Sequence, residues 1–248
     1  LTTTASGMVI IDREGHLLER IDQSSGLLSQ SVYYAMPDRE GGLWLSLSVG
    51  LARVEPLSPF SILGADNGID SSPSDLFRHN GRLYIAHNQG VQYLKPRAVG
   101  TPETVRVSGV ANQTWGFREF VDPEGKVGPQ LLLTASDGLY VIEDDRARPI
   151  VENKNRSFSA FTTQLSVIDP HRMWVGLADG LASVRWTNGA WVNEGRVDGI
   201  TEQVRSMYQS PDGRLWLGTQ TAGLLILTNA DARPGEARPN GPVIKRYG

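Results

Sequence analysis

Apolar residues run along this chain in short bursts, each fenced by Gly, Pro, Asp or Asn, and no window of twelve or more residues sustains a 3.6-residue period. The clearest burst is SPDGRLWLGTQTAGLLIL, residues 210–227: a turn, an apolar run holding Trp216, a second turn reaching Gly223, then another apolar run. The arrangement recurs. Trp44 stands six residues before Gly50 in GLWLSLSVGLARV, Tyr84 six before Gly90 in RLYIAHNQGVQYL, Leu132 six before Gly138 in QLLLTASDGLYVI, and Trp174 six before Gly180 in RMWVGLADGLASV. The opening LTTTASGMVII offers a degenerate copy from Leu1 to Gly7, and the quoted copy stretches the spacing to seven. The glycines at 7, 50, 90, 138, 180 and 223 are thus separated by 43, 40, 48, 42 and 43 residues. A period of that length, holding several short strands, is that of β-propeller blades.

Each unit reads as four antiparallel strands. A β-prone run comes first: SVYYAM, SDLFR, WGFREFV, TTQLSVI and VRSMYQ. A turn follows, in PDREGG (37–42), HNG (79–81), DPEG (122–125), DPHR (169–172) and PDG (211–213). There Pro presets φ, Asp or Asn bonds back to the backbone, and Gly accepts positive φ. The second and third strands flank the repeated Gly as a hairpin. A fourth is less regular: HLLERI, SILG, TVRVSGV, RPIVE, AWVNEG and VIKRYG. The expectation is an all-β propeller in one domain, with a partial blade at 1–22 and blades near 31–64, 74–110, 115–152, 160–195 and 203–247. The first copy begins at its second strand. Its missing strand comes from before Leu1 or after Gly248, or the ring is open; a seven-bladed propeller with one blade upstream is the alternative. Runs such as LWL and LLIL are apolar on both faces, as stacked blades require, so Trp44, Trp174 and Trp216 are expected to wedge between blades. KPRAVGTPE (95–103) and NADARPGEARPNGP (229–242) read as surface insertions.

Composition narrows the function. With 24 basic against 27 acidic residues the net charge is −3, which suggests no nucleic-acid partner. There is no cysteine, which removes disulfides and thiolate metal sites. No apolar run approaches the roughly 18 residues of a membrane span. The chain opens on Leu1 with no basic-then-apolar leader and reads as a soluble piece of something longer. Nucleophile-elbow, P-loop and dinucleotide-binding motifs are absent. Of the four histidines, His79 and His87 fall at opposite ends of the strand RLYIA, roughly 16 Å apart and too far for one metal ion. They read as polar turn histidines, His16 carries no WD40 partner, and the acidic EDD at 143–145 reads as a solvated turn. No cofactor, metal or catalytic residue is expected.

The unit Asp212, Gly213, Leu215, Trp216, Leu217, Gly218, Thr219, Gly223, Leu224 resembles the two-component regulator propeller repeat. Trp44 with Gly50-Leu51, and Trp174 with Gly176 and Gly180-Leu181, fit it nearly as well, whereas Tyr84, Leu132 and Val91 depart from it. The resemblance implies the periplasmic sensor propeller of a bacterial histidine kinase or diguanylate cyclase, attached to the membrane only through segments outside this chain. It implies a small-molecule ligand, a carbohydrate in some relatives, and allows a homodimer of the full-length receptor. Propeller lyases share the repeat, so an enzyme, lyase or hydrolase, is one alternative and a protein-interaction scaffold another.

Rotation places every turn between second and third strands on one side: TTAS (3–6), SLSV (46–49), AHNQ (86–89), TASD (134–137), GLAD (176–179) and GTQTA (218–222). A concave mouth is the default ligand site. The polar residues able to bond a polyol or peptide there are His87, Asn88, Gln89, Asp137, Asp179 and Gln220.

Overall fold

A computed structural model describes residues 1–56, 63–97, 102–152, 158–230 and 243–247. Its strands form six sheets, each ordered as in the chain. The first is β1 (Met8–Ile11) and β2 (Leu17–Ile21), and the second is β3 (Val32–Pro37), β4 (Leu43–Leu47) and β5 (Leu51–Val54). The third is β6 (Pro73–His79), β7 (Arg82–His87), β8 (Gly90–Lys95) and β9 (Glu103–Arg106). Next come β10 (Thr114–Phe120), β11 (Gln130–Ala135), β12 (Gly138–Glu143) and β13 (Arg146–Glu152). The fifth is β14 (Ala160–Leu165), β15 (Arg172–Leu177), β16 (Gly180–Thr187) and β17 (Ala190–Arg196). The last is β18 (Val204–Gln209), β19 (Leu215–Thr219), β20 (Leu224–Thr228) and β21 (Val243–Tyr247). Two 3-10 turns, Gln23–Ser25 and Ala65–Asn67, are the only helical segments among the described residues, and no helix is long and apolar enough to cross a membrane.

The meandering sheets are propeller blades, and their number matches the repeat. The fourth strand expected in SILG begins outside the described residues, at 61–62, and Leu63 and Gly64 form no strand. Turn aspartates act as foreseen: Asp38 accepts from the Glu40 and Gly42 amides, and Asp122 from those of Glu124, Lys126 and Val127. The repeated Gly has a steric reason. Gly138 and Gly180 sit at φ of 150° and 145°, where a Cβ would lie 2.4 Å from the Val151 carbonyl and 2.7 Å from that of Ile200.

The chain divides into two compact units, residues 1–72 with 94–105, and residues 73–93 with 106–248. In the first, Met8, Ile21, Leu27, Val32, Leu45 and Leu47 form the core between the two sheets. Backbone bonds from Gly7 N to Gln30 O (2.7 Å) and Val32 N to Thr3 O (2.9 Å) tie those sheets together. The core takes one face of β3–β5. Trp44 is on the other, cross-strand from Met36 and Arg53, and is 42% exposed rather than enclosed as expected.

In the second unit stacking is complete at the middle. One face of β14–β17, with Met173, Val175, Leu177, Ala182 and Val184, packs on Phe120, Leu132, Leu139 and Val141. The other face, with Trp174 and Leu181, packs on Leu215, Leu217, Leu225 and Leu227. Trp174 is therefore the wedge the repeat predicts, 1% exposed. Trp216 lies on the far face of the last sheet and is half-buried, beside an exposed Tyr208. A charged knot completes the β14–β17 blade: Arg172, itself buried, reaches Glu194 through Nε (2.7 Å) and Nη2 (3.1 Å). Glu194 also accepts from Ser183 Oγ (2.8 Å) and Arg185 Nε (2.7 Å), and Arg185 continues to Asp169 (2.6 Å).

Candidate functional site

The site is built from two features of each blade. The first is the turn between its second and third strands. In the last three blades this turn is tied to the start of its own blade, by Ser136 N to Gln113 O (2.8 Å), Ala178 N to Ser159 O (2.9 Å) and Gln220 N to Gln203 O (3.0 Å). The second feature is a bulge. In five blades the pairing of first and second strands slips between Val32 and Tyr34, Pro73 and Asp75, Thr114 and Gly116, Ala160 and Thr162, and Val204 and Ser206. The extra residues are Tyr33, Ser74, Trp115, Phe161 and Arg205. A bulge re-aims one side chain out of the strand's alternation, and here it does so at the same end as the turns.

In the second unit the bulge residues meet from blade to blade. Ser74 Oγ donates to the carbonyl of Thr114 at 2.7 Å. The rings of Trp115 and Phe161 lie 4.7 Å apart. The Arg205 guanidinium stands 4.1 Å from the Phe161 ring centre and 5.2 Å from that of Trp115, and its Nη2 donates to Gln220 Oε1 at 3.3 Å. Both rings are half-buried and Arg205 is exposed. None of the four was legible as a site residue, since each reads as the start of a strand.

The predicted turn residues divide into two kinds. Asn88, Gln89, Asp179 and Gln220 are exposed and Asp137 is half-buried. Asp137 accepts from Asn112 (2.5 Å), and Asp179 pairs with Arg196 (2.7 Å). His87 is different: it is 1% exposed, and its Nδ1 accepts from the Gln89 amide at 3.1 Å. It builds the turn and does not face solvent. Beside it the buried Thr114 hydroxyl accepts from His87 N (3.0 Å) and lies within bonding distance of the His87 (2.9 Å) and Gly90 (2.8 Å) carbonyls. One side chain thus joins two blades. Thr114→Val should cost about 1–3 kcal/mol by stranding these groups, which chemical denaturation would read.

The opposite end of the sheets also departs from expectation. His79 is buried, not a solvated turn residue; Asn80 donates to its Nε2 (3.1 Å), so Nδ1 carries the proton toward Glu119 (2.7 Å). Asp145 is no solvated acid either, since it pairs with Arg82 and accepts from the Tyr93 hydroxyl (3.0 Å). His79, Asn80, Arg82 and Asp145 line a groove of about 610 Å³. No cluster of three or more metal-ligating side chains occurs among the described residues.

The fold is a repeat-built propeller. Residues 198–221 match the family model for the two component regulator propeller, which fits the resemblance of the repeat centred on Trp216. No curated protein matches the chain. Among solved structures the chain is similar to the extracellular domain assigned to the hybrid two component system BT3049 from B. thetaiotaomicron. They share 17% identity over 92% of this chain and 31% of that one, with a TM-score of 0.62. A second similar structure is the corresponding domain of BT4673 from the same organism, at 13% identity over 98% and 33%, with a TM-score of 0.50. The chain spans about a third of the length of these structures. At such identities the likeness establishes the propeller fold.

Proposed function

We propose that this chain is part of the sensory propeller of a bacterial signal-transduction protein, exposed outside the cytoplasm and binding a small molecule at the end formed by the turns between second and third strands. The observation that carries the reading is the match of residues 198–221 to the two component regulator propeller. The extracellular domains that resemble the fold support the periplasmic side. The site's composition supports binding over catalysis: its groups are amides, carboxylates, two half-buried rings and an exposed guanidinium, and the histidine nearest them, His87, is turned inward. A saccharide is the ligand class first tried, because Asn88, Gln89, Asp137, Asp179 and Gln220 offer the donors and acceptors that hydroxyls need.

The test is a thermal-shift screen of mono- and oligosaccharides, repeated on the triple variant Asn88→Ala, Asp137→Ala, Asp179→Ala. A ligand at 100 times its Kd adds about 2.7 kcal/mol to stability. That gain should vanish in the variant while its unliganded melting temperature stays within a few degrees of the parent. Equal ligand stabilisation in parent and variant would place binding elsewhere.

A further inference from the structure

We infer that Arg205, seated on Trp115 and Phe161, is the receptor for the carboxylate group of a small molecule. This deepens the proposed function and rests on its reading of the turn end as the binding face.

The argument begins with what holds the guanidinium. Its flat face is taken by two rings, at 4.1 and 5.2 Å. Its five N–H donors lie in the guanidinium plane, so stacking consumes none of them. One reaches Gln220 at 3.3 Å; among the described residues no other side-chain bond and no ion pair engages Arg205. Arg172 and Arg185, by contrast, are held by Glu194, Arg196 by Asp179, and Arg246 by Glu202. Of the acids on the neighbouring turns, Asp179 pairs with Arg196, and Asp137 accepts from the Asn112 amide through Oδ2.

A rigidly seated, exposed cation without a counter-ion, with its donors edge-on, is a fork for a planar oxyanion. The rings also remove much of the rotamer entropy that an arginine otherwise loses on binding. One guanidinium balances one negative charge, and Asp137 and Asp179 stand on adjacent turns. A monoanionic carboxylate therefore suits the place better than a dianionic phosphate. Three blades contribute one residue each, so the receptor exists only when they are stacked.

Sodium benzoate and sodium phosphate, each titrated at constant ionic strength, test this through the Trp115 indole and Gln220 backbone resonances. Benzoate should give saturable shifts at both. Arg205→Met should weaken it about tenfold to a hundredfold, as loss of a charged hydrogen bond does, with the melting temperature unchanged, and Arg205→Lys should fall between. No saturable shift with benzoate, unchanged affinity in Arg205→Met, or tighter binding of phosphate would overturn the assignment. A neutral ligand that saturates the turn residues equally in parent and Arg205→Met would overturn the carboxylate receptor and leave the sensing function standing. Failure of both anions and of the saccharide panel to perturb this end would remove both.

Discussion

Glu194→Ala should lower folding stability by about 3–5 kcal/mol, the largest effect expected of any single charge in the chain. The carboxylate is 10% exposed and is the shared partner of two arginines, one of which, Arg172, is 2% exposed. Removing it leaves a buried guanidinium without its counter-ion, which costs far more than the pair contributes. Glu194→Gln keeps an acceptor but loses the charge and should fall between parent and Ala. The same knot gives a pH signature. Burial alone would raise the Glu194 carboxyl, but bonds from Arg172, Arg185 and Ser183 outweigh it and lower it from its ordinary 4.5 to about 2. The ionised form is thus the one the fold prefers. Its stabilisation is complete above the unfolded value of 4.5 and drains away as pH falls toward 2. Denaturation midpoints measured from pH 6 down to 2 should fall more steeply in the parent than in Glu194→Gln. Parallel curves would mean that the knot is not what protects this blade from acid.

The second large effect separates residues that the repeat makes equivalent. Trp174→Ala should cost about 3–5 kcal/mol, because the indole is fully enclosed between two sheets and its removal leaves a cavity that rigid strands cannot collapse into. Trp44→Ala, at the same position of another blade, should cost under about 1 kcal/mol, since 42% of that residue already faces solvent. Unfolding of the two variants in urea reads the difference. Equal losses would show that Trp44 is enclosed in solution.

That contrast also marks how far the sequence could be read. The blade is legible because its demands are local and repeated: a positive φ and a close carbonyl require glycine at Gly138 and Gly180, and turn aspartates must bond forward to free amides. How far an indole is covered is not a local matter. GLWLSL and RMWVGL have the same apolar pattern, yet Trp174 is 1% exposed and Trp44 42%. The burial of the histidines is hidden from the sequence for a related reason. His79 and His87 stand next to turn residues, but Glu119 and Asn80 partner the His79 ring and the Gln89 amide partners the His87 ring, which lets both sink inward. The turn residues of the candidate site could be placed by counting. The bulge residues could not. Tyr33, Ser74, Trp115, Phe161 and Arg205 precede their repeat's aromatic-position residue by 11, 10, 17, 13 and 11 residues, so intervening turns of unequal length blur their alignment. Nor does a residue-by-residue alternation of faces have a place for a side chain that belongs to neither.

That last property separates the evolution of the scaffold from that of its specificity. A residue on a blade's face is answerable to the neighbouring sheet, and exchanging it disturbs packing on both sides. A bulge residue is answerable to almost nothing but what lies beyond the sheet. Tyrosine, serine, tryptophan, phenylalanine and arginine occupy five such places on one backbone geometry, like differently cut pins on a common barrel. A lineage that duplicates blades inherits the frame ready-made and can recut the pins singly, acquiring new chemistry through point substitutions that the core does not register.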